Sequence, residues 1–418
     1  MTDPRFLTPP RPADVNYDEA SVPPFTLPEL LVGDDGHHAR SVEAWLERRR
    51  PELLAHFTNE MYGQAPAACP LRAEVVASDA DAIGGLATRL EIDVVLESPV
   101  GAGSAELRLL VWLPNQITGK VPAFLGLNLC GNQSVHPDPA IRLARGWVPS
   151  YAELGITDYR ATEESRGLHA RRWPVELILA RGYALATVYA GDIDPDFDDG
   201  FENGVHGLFG SSTQRSASDW ATLAAWAWGL SRAREALEGV ERIDADRVGV
   251  IGHSRFGKAA LWAAAQDPRF AWAISNDSGR GGAALSRRRF GELTRDLNQR
   301  FPHWFAERFR LYDDREQFLP MDQHALLALI APRPLYVASA SLDQWCDPRG
   351  EFQACVAASP AYELFGYSGV SADAEDAALR RSVGDRIGYH RRPGGHDMLA
   401  RDWWHYLDFV DRHRATLR

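Results

Sequence analysis

Three residues, widely separated along the chain, have the types and local settings needed to cleave an ester: Ser254, Asp343 and His396. Ser254 follows the mostly apolar run from Arg247 to Gly252 and precedes an Ala- and Leu-rich stretch, so it falls at a strand-to-helix turn. A serine held there stands clear of the sheet, beside the N-terminus of a helix. Its hydroxyl can attack an acyl carbon while the helix end favours the oxyanion that results. Gly252 lies two places before it, but Phe256 stands where a G-x-S-x-G turn carries its second glycine, and Gly257 follows one place later. A strand-end turn capped by an ordinary serine reads the same way locally. The other two residues favour the nucleophile: Asp343 follows a buried-strand pattern that begins at Arg333, and His396 sits in a Gly-rich loop after Gly388-Tyr-His390. Nucleophile, acid and base thus come in one of the known triad orders, each just past a strand.

The elements around them alternate in a way that suits this task. An amphipathic helix is expected from Ser41 to Tyr62, capped by Ser41 and closed by Gly63. Two alternating stretches, from Ala87 and from Ala105, read as antiparallel strands around a turn at Gly101–Gly103. Strands and helices then alternate: a strand from Val121, a helix from Pro174 to Arg181, a strand from Tyr183 and a long helix from Asp219 to Leu237. The nucleophile strand with its helix, a strand from Phe270 and the two strands carrying Asp343 and His396 complete the series. The fold class is α/β: an α/β-hydrolase fold, a three-layer α/β/α sandwich with a mostly parallel central sheet. Residues 1–40 are Pro-rich and read as an extended N-terminal arm, and residues 41–418 as a single catalytic domain without repeats or low-complexity linkers.

A net charge of −12 argues against nucleic acid or an anionic membrane as partner. No stretch approaches the roughly 20 apolar residues of a membrane span. The N-terminus from Met1 to Pro10 lacks the apolar core of a secretory signal, which leaves a cytoplasmic location open. Cys69, Cys130, Cys346 and Cys355 are too scattered for a disulfide framework or a zinc site, and free buried thiols are expected. The acidic run from Asp192 to Gly200 looks superficially like a calcium loop, but Phe197 stands where an EF-hand needs glycine and Asn203 where it needs glutamate. It reads as a surface loop. No metal or organic cofactor is expected, because a triad supplies nucleophile, base and charge stabilisation by itself.

The residues flanking the three chemical groups resemble the glucuronoyl esterases, carbohydrate esterase family 15. Gly252-His-Ser254-Arg255-Phe-Gly257-Lys258 is similar to that family's G-C/H-S-R-x-G-K signature. Ser278-Gly-Arg-Gly-Gly, Phe301-Pro-His303-Trp, Asp322-Gln-His, Ala331-Pro-Arg-Pro and Asp343-Gln-Trp345-Cys-Asp-Pro-Arg-Gly-Glu351 extend the resemblance over roughly residues 120 to 400. It implies cleavage of the ester between 4-O-methyl-glucuronic acid of glucuronoxylan and lignin alcohols, by a secreted or periplasmic protein expected to be a monomer. It further implies Ser254 as nucleophile, His396 as general base and Arg255 as an oxyanion donor, with Lys258, Glu292 and Trp345 contacting sugar hydroxyls. The family carries its carboxylate after either of two strands, and this chain has one at each place. Asp343 suits the general fold order and is favoured, with Asp277 assisting. Where some members carry a disulfide tying the serine and histidine loops, this chain has His253 and Asp397, so packing is expected to hold the loops. His303 is expected to be structural. A different xylan-directed esterase (acetyl or feruloyl) and a non-catalytic carbohydrate-binding relative are the alternative readings.

Overall fold

The computed structural model describes residues 10–101, 103–151, 156–210 and 215–416. The first nine residues of the N-terminal arm, where the absence of a signal core was read, lie outside the described residues. Nine strands form one sheet among the described residues: β1 (Leu71–Ala82), β2 (Ala87–Glu97), β3 (Ser104–Pro114), β4 (Val121–Asn128), β5 (Ala184–Tyr189), β6 (Ile243–His253), β7 (Ala273–Asn276), β8 (Leu335–Ala340) and β9 (Ile387–Arg392). Their order across the sheet is β1-β2-β3-β5-β4-β6-β7-β8-β9. β1, β2, β3 and β5 pair antiparallel, and the strands from β5 across to β9 run parallel.

The parallel strands are covered on both faces, which is why they read as continuous apolar runs. Ala123, Leu125 and Leu127 of β4 point into one core, together with the helices Thr222–Leu237, Arg255–Gln266 and Pro348–Glu363. Phe124 points into the opposite core, where the helices Val175–Ala180 and Ala400–His413 lie. The parallel strands all point their C-terminal ends toward one rim, so the loops carrying Ser254, Asp277, Asp343 and His396 gather there.

The structure departs from the sequence reading in particular places. β1 is absent from the sequence expectations: its alternation of Leu71, Ala73 and Val75 with Arg72 and Glu74 is short and breaks at Val76, and most of its residues are exposed. Pairing to β2 makes it a strand. The helix starting after Ser41, whose hydroxyl accepts from the Ala44 amide at 3.1 Å, contains two π-helical turns, Trp45–Arg49 and Thr58–Tyr62. It stops at Gly63, where φ is +87° and a Cβ would lie 2.2 Å from the Asp219 carbonyl oxygen. The helix expected from Asp219 starts at Thr222, because the Thr222 and Leu223 amides donate to the His303 and Trp304 carbonyls at 3.0 and 3.1 Å. β7 starts at Ala273, not Phe270.

Beneath the rim, Glu351 fastens the helix Pro348–Glu363 to the sheet. It accepts from the Ser339 hydroxyl on β8 at 2.5 Å and from the Gly279 amide after β7 at 2.9 Å. Burial pushes its pKa up to about 7, although those donors oppose the shift. A carboxyl whose pKa is raised on folding stabilises the native state fully below its unfolded pKa of about 4.3, and that contribution is lost as the pH rises through 7. Relative to Glu351→Gln, the wild-type protein should therefore lose on the order of 3 kcal/mol of stability between pH 4.5 and 7.5. Urea unfolding at a series of pH values checks this. Parallel curves for the two proteins would show that Glu351 does not retain its proton on folding.

Candidate active site

Ser254 sits between β6 and the helix Arg255–Gln266 with φ 58° and ψ −127°, a backbone conformation rare for any residue with a Cβ. Its amide donates to the Asn276 carbonyl at the end of β7, 2.8 Å away. The turn is so tight that a Cβ on Gly252 would come within 1.9 Å of the Phe256 carbonyl oxygen. One on Gly257 would lie 2.9 Å from the Ser278 Cβ and 3.2 Å from the Gly252 carbonyl oxygen. Gly257 thus supplies the close approach expected of the second glycine. Phe256, at the position expected for glycine, instead turns inward and packs edge-on against Trp226 with ring centroids 5.2 Å apart.

His396 stands in the loop after β9, and its Nδ1 donates to Asp343 Oδ2 at 2.6 Å. Burial alone would raise the Asp343 pKa, but the bond to His396 and its charge hold the carboxyl below the usual range. Asp277 is placed differently. It is buried, with its Oδ2 3.4 Å from Arg392 Nη2 and its Oδ1 without a partner. Burial, then Asp343 and Glu351, push its carboxyl well above the usual range. It reaches the histidine loop indirectly: Arg392 Nη2 also donates to the Gly395 and Asp397 carbonyls, and the Cys346 thiol lies 3.4 Å from the Asp277 backbone carbonyl oxygen and 3.7 Å from His396 Nδ1.

The serine and histidine loops meet through ring packing. The His253 ring lies 4.6 Å from the His396 ring and bonds Asn276 Oδ1 at 2.7 Å through Nδ1. Burial holds His253 well below its ordinary pKa, so it stays neutral beside its neighbour. Asp397 forms ion pairs with Arg172 at 2.7 Å and Arg171 at 2.9 Å. Between the two loops the contact is thus ring packing, as expected, while each loop is anchored separately, His253 to Asn276 and Asp397 to Arg171 and Arg172. All four cysteines are free and buried.

Arg255 leads from the turn onto a cradle that sequence reading missed. Its guanidinium pairs with Asp196 and lies 4.8 Å over the Trp304 ring and 5.2 Å over Phe301. Asp196 also accepts from His303 Nε2 at 3.1 Å and Trp304 Nε1 at 2.8 Å. Burial would raise the Asp196 pKa, but Arg255, His303 and Trp304 outweigh it and keep the carboxyl ionised well below its usual range. The acidic run is therefore no simple surface loop. Asp194 is buried too, accepting from the Thr222 hydroxyl at 2.6 Å, and burial pushes the Asp192 pKa up to about 7. The alternation of Asp192, Asp194 and Asp196 with apolar Ile193 and Phe197 was the available signal.

One turn along the same helix, Lys258 is buried. Its ammonium donates to the Ser278 and Arg280 carbonyls and stands 3.8 Å from Glu292. Glu292 accepts from the Trp345 indole at 3.0 Å, while its own amide donates to the Trp345 carbonyl at 2.9 Å. Lys258, Glu292 and Trp345 thus form one buried cluster. A cleft of about 290 Å³, whose lining includes none of these three, is bordered by Asn128, Leu129, Tyr151, Arg172, Trp173, Ser254 and His396 among others. Arg255 also borders it. The Gly257 amide donates to the Ser254 carbonyl at 2.9 Å, and the Arg255 and Phe256 amides before it, at the helix start, have no intrahelical acceptor. Among the described residues, Asp343, Cys346 and His396 bring metal-ligand atom types within 4.8 Å of one another. Their atoms are those of the His–Asp pair, and burial pushes the Cys346 thiol far up, away from the thiolate that ligates metals.

A family model described as fungal glucuronyl esterase matches residues 198–366. A carbohydrate esterase from an unknown prokaryotic organism is 45% identical over 408 residues, 96% of this chain and 93% of its own length. A solved promiscuous CE15 esterase from a marine bacterial metagenome is 45% identical with a TM-score of 0.88, over 96% of this chain and 100% of its own. A glucuronoyl esterase from Solibacter usitatus is 46% identical with a TM-score of 0.87, over 94% of this chain and 99% of its own. Likeness of this extent, over the same residues that build the serine turn, shows that the chain belongs to carbohydrate esterase family 15, the glucuronoyl esterases, and is a carboxylic ester hydrolase with the α/β-hydrolase fold.

Proposed function

We propose that this esterase hydrolyses the ester between (4-O-methyl-)glucuronic acid of glucuronoxylan and lignin alcohols, through a covalent acyl-enzyme on Ser254. The observation that carries the reading is the pairing of a strained serine turn with two differently built regions. One is the polar cluster Lys258–Glu292–Trp345, suited to sugar hydroxyls, and the other is the cleft at Ser254 and His396, where Leu127, Leu129, Trp173 and Met398 give apolar surface for a bulky alcohol beside the polar Arg172 and Arg255. An acetyl ester needs no such polar cluster. Family membership supports the same substrate class, and a secreted or periplasmic location with it. No helix among the described residues is long and apolar enough to cross a membrane. Residues 41–418 act as the catalytic domain in this reading.

In the first half-reaction His396 Nε2 takes the Ser254 proton as Oγ attacks the ester carbon. Asp343 holds the ring through Nδ1 and stabilises the imidazolium. Negative charge gathers on the former carbonyl oxygen, where Arg255 and the first helix amides stabilise it. Arg255 can do so without proton exchange because a guanidinium keeps its charge. The tetrahedral intermediate collapses as His396 returns the proton to the departing alcohol. Water, activated by the same histidine, then releases the uronate and restores Ser254.

Purified protein should hydrolyse benzyl glucuronoate, and Ser254→Ala should lower kcat roughly 10³-fold or more without unfolding. Activity confined to 4-nitrophenyl acetate would move the enzyme to another esterase specificity, and silence of the folded wild type on both esters would favour a binding protein. Asp196→Asn keeps the shape of the cradle but releases its grip on Arg255. It should lower kcat roughly ten- to hundredfold with KM nearly unchanged, since the charge acts on the transition state. A rise in KM at constant kcat would place Arg255 in ground-state binding instead.

A further inference from the structure

The N-terminal strap, residues 10–22, is bound along the edge of the polar cluster. The Gly291 amide donates to the Asn16 carbonyl at 2.9 Å, immediately before Glu292. Arg295 Nη2 donates to Asp14 at 2.6 Å, and Glu19 accepts from Arg288 at 2.6 Å and from Arg349 at 3.2 Å. Tyr17 packs edge-on against Phe290 with centroids 6.3 Å apart. These tethers all fall on the segment Arg288–Arg295 or on the helix that follows Trp345. That segment itself presses on the Trp345 loop: a Cβ on Gly291 would lie 2.5 Å from the Gln344 and Trp345 carbonyl oxygens. At the end of this stack Arg11 places its guanidinium 4.6 Å over the Trp345 ring.

The three side chains of the polar cluster are almost wholly buried: Lys258 is 4% exposed, Glu292 4% and Trp345 7%. Arg11 is exposed. We propose that Arg11 is a substrate-binding residue, delivered by the strap to the mouth of the sugar site to bind hydroxyl or ether oxygens of the glucuronoyl group or of the sugar that bears it. A guanidinium offers five N–H donors in a fixed fork and no acceptor, which matches a ligand rich in oxygen acceptors. Stacking on the Trp345 indole orients the fork and lowers the entropy it loses on binding. The charge of Arg11 also reaches Asp343, so the strap lies within electrostatic range of the His–Asp pair. This assignment rests on the glucuronoyl reading and adds to it a specificity residue from a segment outside the sheet.

The test compares wild type, Arg11→Ala and Arg11→Lys on benzyl glucuronoate and on 4-nitrophenyl acetate, with melting temperatures measured alongside. Arg11→Ala should raise KM for the glucuronoate about tenfold with kcat within about twofold, and leave kcat/KM for the sugar-free acetate within about twofold. Arg11→Lys should fall between, since it keeps the charge and loses the fork. An unchanged KM for the glucuronoate overturns the proposal. An equal loss on both esters with a lowered melting temperature also overturns it, because the strap would then only support the fold. Wild type inactive on the glucuronoate sinks the glucuronoyl reading first, and this inference with it.

Discussion

Ser254 is held with φ at 58°, and the rest of the active face is arranged around that constraint. A left-handed backbone at a residue with a side chain costs on the order of 1–3 kcal/mol and persists only where its surroundings over-determine it. Here three things do so. β6 and β7 fix the chain on either side through the Ser254–Asn276 bond, and Gly252 and Gly257 let the strand end and the helix start approach within backbone contact. The following helix, buried almost along its length among Ala259, Ala260, Leu261 and Trp262, supplies apolar burial to offset the strain. Any shift of that helix moves Ser254, Arg255 and Lys258 together.

Charge is the second constraint. The site carries cations and carboxylates largely out of water, which costs several kcal/mol per ion unless each is paired and hydrogen-bonded. Asp196 meets that requirement for Arg255 with the help of His303 and Trp304, and Glu292 and two carbonyls meet it for Lys258. The result is a set of fixed positive charges around the serine that need little reorganisation as negative charge develops. Glu351 and Asp277 lie beneath them as carboxyls that burial pushes above the usual range.

Much of this layout was legible in the sequence because it is local. The turn at Ser254, the apolar runs of the parallel strands and the loop residues Asp343 and His396 each announce themselves within a dozen positions. What was not legible depends on contacts between distant segments. Nothing near Asp196 says that His303, Trp304 and Arg255 converge on it, and an acidic run ordinarily faces water. Asp343 and Asp277 are both loop carboxylates after neighbouring strands, and fold order favoured Asp343 without saying what Asp277 would meet. Only the three-dimensional path of the β9 loop gives Asp343 the imidazole and Asp277 the Arg392 guanidinium. β1 escaped notice because an edge strand held by backbone pairing needs no sustained apolar alternation. The strap gave only a Pro-rich arm, since its docking is written in residues on both sides.

The central claim is that Ser254 becomes covalently acylated. The most direct measurement is reaction of the wild-type protein with a serine-directed fluorophosphonate, followed by peptide mass spectrometry and residual esterase activity. A single phosphonyl adduct on the peptide containing Ser254, accumulating in step with loss of activity, is the predicted result. Full inactivation without modification of Ser254, or stoichiometric modification of Ser254 with activity retained, would contradict the account.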